Sequence, residues 1–520
     1  MKKFSFIFTI LLAAATFSAG AQGIEDALRY SQQFYVGSAR TMAMGNAFTA
    51  LGGDLGALGI NPASSALYNC CEFAVTGGLS WNNTTAQFEG SEGINSTKAD
   101  RTRFTIPNIA AIFSVPTGRE YGLVNYTFGF GLTKTNNFNG RVSFGGYDAR
   151  TSLLGNLAAG LAADAVPQSE LLDPDAFING YCTPQEIMAF DTYLVNPYHD
   201  IDGDYIGATE NEWDGGLGVE NPLWQSYDRV TGGGIYDMQF NFGMNFTDRL
   251  YLGVNANIKM VDYDENLWYG EDGNKDDWFD SGFKSMKYNY WQRTSGVGAN
   301  LQLGAIWVPI DFLRVGVSYT TPTVFNLTDT WGEYMQGNFD GSATEKTFYE
   351  SETDPFSFDY RVKAPARLSL GAAVVFGREG LLSVDVERAN YSKMVMSDSN
   401  HNTATFEDIN KDIRDYCYSG TIIRLGGELN VLNDVSLRAG YNCYLFNQPA
   451  YQYVSFGIGK RISENSSLDL AFRTSFKDRY EMKPYDDYAF DADGNPYCIA
   501  PVATISSGLS DLMLTWRVKF

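Results

Sequence analysis

Histidine is nearly missing from the sequence: His199 and His401 are the only two in 520 residues. Both fall in stretches that read as loops, and neither is near a serine motif, so a Ser-His-Asp site has no base to work with. The six cysteines, Cys70, Cys71, Cys182, Cys417, Cys443 and Cys498, have too little histidine beside them for a zinc pattern. No phosphate-binding loop or dinucleotide fingerprint occurs. The expectation is therefore a protein that is not an enzyme, with no cofactor and no metal. Basic residues are scarce as well: 38 Lys and Arg stand against 61 Asp and Glu, a net charge of −23. Nucleic-acid binding needs basic surface and is excluded. Past the N-terminus no apolar run approaches the roughly 18 residues of a membrane helix. If the chain spans a membrane, it does so as strands.

What is abundant points that way. Glycine numbers 53 and aromatic residues make up 15% of the chain, a combination typical of membrane barrels with interface girdles and tight turns. Met1-Lys2-Lys3, the apolar run 4–17 and Ala19-Gly20-Ala21 form a signal peptide over residues 1–21. An exported chain with an even number of cysteines can form disulfides. Cys417 and Cys443 flank one expected hairpin at its outer end and make a candidate pair.

From residue 72 onward one pattern repeats: about ten residues of strict alternation, then a break. Tyr236, Met238, Phe240, Phe242, Met244 and Phe246 share one face; after Thr247-Asp248-Arg249, Leu250, Leu252, Val254, Ala256, Ile258 and Met260 do the same. Period two puts those side chains on one side of a sheet. The pattern predicts about fourteen strands, near 72–81, 103–115, 121–134, 234–246, 250–262, 296–308, 312–320, 366–376, 381–391, 421–431, 435–445, 452–461, 467–477 and 508–520. The second is interrupted by Pro107. Short turns such as 247–249, 309–311, 377–380 and 432–434 alternate with long loops near 82–102, 135–233, 263–295, 321–365, 392–420 and 478–507. An even strand count with short turns at one end and long loops at the other describes an antiparallel transmembrane β-barrel of the bacterial outer membrane. Closure leaves no edge strand and satisfies every backbone group in lipid. The chain ends on an alternating strand finishing in Phe520, which resembles the assembly signal read by barrel-insertion machinery.

Residues 22–71 do not alternate. They read as a compact, small-residue segment able to pack inside the lumen as an N-terminal plug, with a turn at Asn61-Pro62, and the barrel then occupies 72–520. Two motifs here, Gly45-Asn46-Ala47 and Asn61-Pro62-Ala63, resemble the hatch of the FadL/TodX family of outer-membrane transporters for long-chain fatty acids and aromatic hydrocarbons. Further segments resemble that family: 316–322, 365–371, 425–428 and 436–441. The resemblance implies a fourteen-strand barrel, acting as a monomer, whose hatch rearranges to pass hydrophobic ligands, with long-chain fatty acids as the default. It also implies sideways exit into the membrane lipid at a kinked third strand, where Gly129 and Gly131 lie here.

Several residues remain open to two readings. Luminal Arg314, Arg367, Arg424, Arg438 and Arg473 are candidate contacts for a ligand carboxylate, or they neutralise Asp385, Glu387, Glu428 and Asp469 and anchor the plug. The stretch 153–161 reads as a short amphipathic helix that captures ligand or covers the barrel mouth. Asp200, Asp202 and Asp204 have calcium-loop spacing, but Gly203 is misplaced and the twelfth position is Asn211, so a solvated acidic loop is expected. Alternatives to transport are a general porin, a surface adhesion or structural barrel acting through its long acidic loops, and a hydrolase dependent on His199 or His401.

Overall fold

The computed structural model describes residues 23–520 apart from 91–92, 149–150, 174–175, 178, 200, 214–215, 220–221, 274–278, 433, 447–450 and 491–495. The expected signal peptide over 1–21 lies outside the described residues.

Fourteen strands close into one antiparallel barrel. They are β1 (Glu72–Gly90), β2 (Gly93–Pro116), β3 (Leu123–Asn137), β4 (Leu223–Phe246), β5 (Leu250–Asp272), β6 (Phe283–Ile310) and β7 (Leu313–Thr320). The second half comprises β8 (Arg367–Phe376), β9 (Gly380–Asn390), β10 (Ser419–Leu432), β11 (Val435–Leu445), β12 (Tyr451–Arg461), β13 (Ser466–Ser475) and β14 (Val502–Lys519). Each pairs with its neighbour in sequence, and the ring closes where Glu72 faces Lys519.

The alternation read from the sequence sorts the side chains by environment. Outward Leu301 and Leu303 on β6, Leu368 and Leu370 on β8, Leu382 on β9 and Leu512 and Leu514 on β14 are all exposed. A belt of this size would be an aggregation hazard in water and is the surface a barrel presents to lipid. The protein is an outer-membrane β-barrel. On β5 the belt ends between Met260 and Asp262, where exposed outward positions turn polar.

Three of the expected long loops are largely strand. The ladder between β1 and β2 runs without a gap from Gly90↔Gly93 down into the belt, and that between β5 and β6 reaches Asp272↔Ser285. β7 resumes as Thr323–Phe339 after Thr321-Pro322, and β8 is preceded by Phe356–Ala364. The reason is chemical. Above the lipid the outer face carries Asp262, Asp264 and Asn266, so apolar alternation disappears although the strand continues, and polar residues in a strand look like a loop. The region 135–233 likewise holds structure: a strand Gly140–Asp148 pairs with β4, and the helix α1 (Leu153–Ala163) follows it.

All six cysteines are free, including Cys417 and Cys443. The expected pair is therefore corrected: Cys417 is buried in an aromatic cluster at the end of a helical turn, while Cys443 lies within β11.

Candidate functional site

Residues 23–71 fill the lumen. The motif 45–47 turns the chain sharply, because Gly45 and Asn46 both adopt positive φ, +61° and +56°. Only glycine fits the first position: a Cβ there would lie 2.7 Å from the Leu425 carbonyl and 2.9 Å from Tyr441 N. Asn46 tolerates the left-handed region, and its Nδ2 donates to the Tyr35 carbonyl at 2.9 Å. Ala47 is fully buried and donates its N–H to the Met44 carbonyl at 3.2 Å. The motif 61–63 starts a 3₁₀ helix, Pro62–Leu67. Asn61 Oδ1 caps it by accepting from Ala63 N at 3.0 Å, and Pro62 takes the first-turn position where no N–H is needed. Asn61 Nδ2 then reaches the Thr49 carbonyl at 2.6 Å and the carbonyls of Ala305 and Val317 on the wall at 3.3 Å.

The wall is shaped to receive this segment. Inward positions on two runs of three strands, β5–β7 and β10–β12, are glycine where the plug presses closest. A Cβ on Gly253, Gly304, Gly316, Gly426, Gly440 or Gly457 would run into Pro62, Asn61, Thr49, Met44, Gly45 or Ala43 respectively. Between the glycines, amide side chains supply donors to plug carbonyls: Asn241 to Pro62 at 2.9 Å, Asn255 to Leu58 at 2.8 Å, Asn442 to Gly45 at 2.8 Å. Every such bond satisfies a backbone acceptor that burial would otherwise strand.

Above the plug's glycine-lined seat lies a buried aromatic cluster. The N-terminal helix Ile24–Ser31 enters it with Ala27 and Tyr30, which pack among Tyr263, Phe325, Tyr360, Tyr391 and Phe406. Phe138, just beyond β3, meets Tyr30 edge-on at 6.3 Å and Tyr263 at 5.5 Å.

Phe138 also marks a break in the wall. The ladder between β2 and β3 spans only Asn108↔Thr133 to Pro116↔Asn125. From Pro107 upward β2 pairs with β1 alone among the described residues, and β1 and β2 slip register between Thr76 and Gly78 at the same height. Pro107 has no N–H to offer β3, so the ladder stops there. On the other side β3 bulges against β4 between Lys134 and Asn136. The plug backbone takes over the bonds that β2 leaves: Phe34 N donates to Thr135 O at 2.8 Å and Val36 N to Lys134 O at 3.4 Å.

This barrel, plug and side break can be compared with solved structures. The structure of the Pseudomonas putida toluene transporter TodX superposes with a TM-score of 0.51 at 15% identity, over 93% of this chain and 98% of TodX. By fold, the chain is a TodX-type barrel. A Pseudomonas aeruginosa FadL homologue gives a TM-score of 0.49 at 11% identity, over 94% of this chain and 100% of its own. No protein-family model and no curated protein sequence matches the chain.

In this TodX-type barrel Gly129 and Gly131 sit within the intact part of the β2–β3 ladder, opposite Ile112 and Ala110. They face Asn241 and Gln239 on β4, and the Gly131 position also borders Leu58 of the plug. The β2–β3 ladder ends just above them, at Pro107.

The five luminal arginines are held by carboxylates and plug carbonyls. Arg314 donates to Leu51 O at 2.7 Å; Arg367 pairs with Glu387 at 2.9 Å and also bonds Ser31 O. Arg438 bridges Glu428 and Asp469, each at 2.5 Å, and Arg473 joins Asp511 at 2.6 Å and Tyr35 O at 2.9 Å. Arg424 pairs with Glu387 at 2.7 Å but keeps Nε and Nη1 without a hydrogen-bond partner among the described residues. Two plug charges escaped the sequence reading. Arg40 binds Glu428 in a two-pronged pair, 2.8 and 3.0 Å, and Asp54 takes the Ser38 hydroxyl at 2.6 Å. Their signal was simply a charge inside a small-residue segment.

At the outer end α1 caps the mouth. Leu153, Leu154, Leu157, Ala158 and Leu161 are buried on one face in the largest apolar cluster of the molecule. Glu271 at the tip of β5 accepts from Leu153 N at 2.8 Å, from the Ser152 hydroxyl at 2.5 Å and from Tyr269 at 2.6 Å, so a carboxylate sits at the helix N-terminus. Glu210 lies against Gly155 and accepts from Gly207 N at 2.8 Å; burial lifts its carboxyl from 4.5 to about 7, with Glu271 adding to the rise.

Of the acidic triplet, Asp200 lies outside the described residues. Asp202 accepts from Gln168 N at 2.9 Å, and no group of three or more metal-binding side chains occurs among the described residues. His199 is exposed beside Glu212 at 3.4 Å; His401 stands on an exposed turn against Arg361.

Proposed function

We propose that this protein carries hydrophobic small molecules across the outer membrane and is a channel, not an enzyme. The observation that carries the reading is the break at Pro107, which puts a gap in the β2–β3 ladder beside the buried aromatic cluster. A hydrophobic molecule admitted among those aromatic side chains would reach lipid at that gap in the pairing without crossing water. The plug controls the path. It holds the inner edge of the gap through Phe34 and Val36, and its own seat depends on Gly45-Asn46-Ala47 and Asn61-Pro62-Ala63. A general porin fits less well, because the plug fills the lumen. Long-chain fatty acids are the ligand class implied by the family resemblance; TodX, whose fold this chain shares, is a toluene transporter.

The test is uptake of labelled long-chain fatty acid and, separately, of labelled toluene by a bacterium lacking its own transporter. The strain expresses either the intact barrel or one with residues 61–63 replaced, at matched surface levels. Uptake restored by the intact protein and lost in the variant is expected. Equal uptake by both would remove plug control, and uptake of neither compound would remove both ligand classes.

A further inference from the structure

The strand extensions above the lipid carry a site on their outer wall. A pocket of about 680 Å³ lies over β5, β6 and the strand Thr323–Phe339, within the size range of small-ligand sites. Trp268, 44% exposed, forms one side, and Tyr334 lies opposite beyond Asn289, its ladder partner. Trp291 pairs with Gly332, and a Cβ on that glycine would lie 2.8–3.0 Å from the indole. The ring therefore rests directly against the glycine, in space that a side chain there would take. Asn289 and Gln336 add amides, Glu333, Glu352 and Asp354 carboxyl groups, and Lys287 a cation.

We propose that this pocket binds neutral sugar units of a glycolipid in the outer leaflet of the same membrane. Pyranose rings have C–H faces that settle on the negative face of an aromatic ring. Their hydroxyls donate to carboxylates and pair with amides, and both kinds of group line the pocket. One lysine against three carboxyl side chains disfavours a phosphorylated headgroup. Position selects the source. Eight residues of tilted strand separate Met260, the last belt residue of β5, from Trp268, which places the pocket about 20 Å above the lipid. It opens sideways over the membrane, away from the capped barrel mouth, where lipid-anchored sugars stand.

The test uses the full mature barrel in nanodiscs and counts bound glycolipid by native mass spectrometry. The probes are rough lipopolysaccharide with a complete hexose core, deep-rough lipopolysaccharide lacking those hexoses, and free maltoheptaose. Retention of the complete-core form roughly tenfold above the deep-rough form is expected. Trp268→Ala should abolish that preference and Gln336→Ala reduce it, with heat-shifted gel mobility showing that each barrel is folded. An equal affinity for both lipopolysaccharides overturns the proposal, as does a preference that survives both substitutions. Binding of maltoheptaose without preference between the lipids would assign the pocket to a soluble glycan and equally overturn it.

Discussion

Asn61 of the plug and Gly304 of β6 meet so closely that a methyl group on the glycine would overlap the Asn61 carboxamide oxygen and press on Pro62. That oxygen caps the turn at Ala63, while the amide nitrogen of the same side chain bonds Thr49 and two wall carbonyls. One side chain thus fixes both the shape of the plug and its seat.

Gly304→Ala should unseat this corner of the plug while leaving the barrel closed, since the outward neighbours and ladder bonds of β6 are untouched. Overpacking of this kind costs on the order of 1–3 kcal/mol. Limited proteolysis of membrane-embedded protein should show cleavage within 45–67 at least tenfold faster than in the parent. An unchanged cleavage rate would mean that the plug does not depend on this contact.

Pro107→Thr returns an N–H to β2 where its ladder with β3 stops. The added donor lets the pairing extend upward and narrows the gap, so uptake of a hydrophobic substrate should fall several-fold with barrel stability unchanged or raised. Uptake at the parental rate would exclude this gap as the exit.

Arg424→Gln separates the two ligand classes. Arg424 is 1% exposed and retains two unpaired donors, with Tyr444 nearby. A ligand carboxylate seated there is a charge-assisted partner, so fatty-acid uptake should drop about tenfold, equivalent to about 1.4 kcal/mol. Toluene uptake should stay within about twofold. A parallel fall for both compounds would assign Arg424 to anchoring alone.

The membrane part of the fold was legible because lipid and lumen impose opposite chemistry on alternate residues, as in Leu250 to Met260 with Asn255 and Asn257 between them. All fourteen strands lie where that alternation predicts. The outer parts of β1, β2, β4, β5 and β6 were not legible, since on β5 Asp262, Asp264 and Asn266 face water and the contrast between the two faces disappears. The short motifs of the plug could be read as turns, but its seat could not. The glycines that receive it, such as Gly304 and Gly440, look in sequence like any weak position in a strand. Pro107 was visible as an interruption; which neighbour it unpairs depends on register, and register emerges only in the closed barrel.

The cap adds a dependence on pH. The Glu210 carboxyl is buried against α1 and pushed up to about 7 by loss of hydration. Its protonated form is therefore favoured in the folded cap. The stabilisation is fully present below the unfolded value of 4.5 and is lost as pH rises through about 7. At full effect this is on the order of 3 kcal/mol. Protection of the backbone amides in Leu153–Ala163 should accordingly fall between about pH 4.5 and 7 when exchange is corrected for its intrinsic pH dependence. Glu210→Gln, which stays neutral, should hold the protection of the acidic form across that range. If both proteins lose protection with the same slope, the titrating group lies elsewhere, and Glu271, also raised by burial and bonded to Leu153 N, is the next to replace.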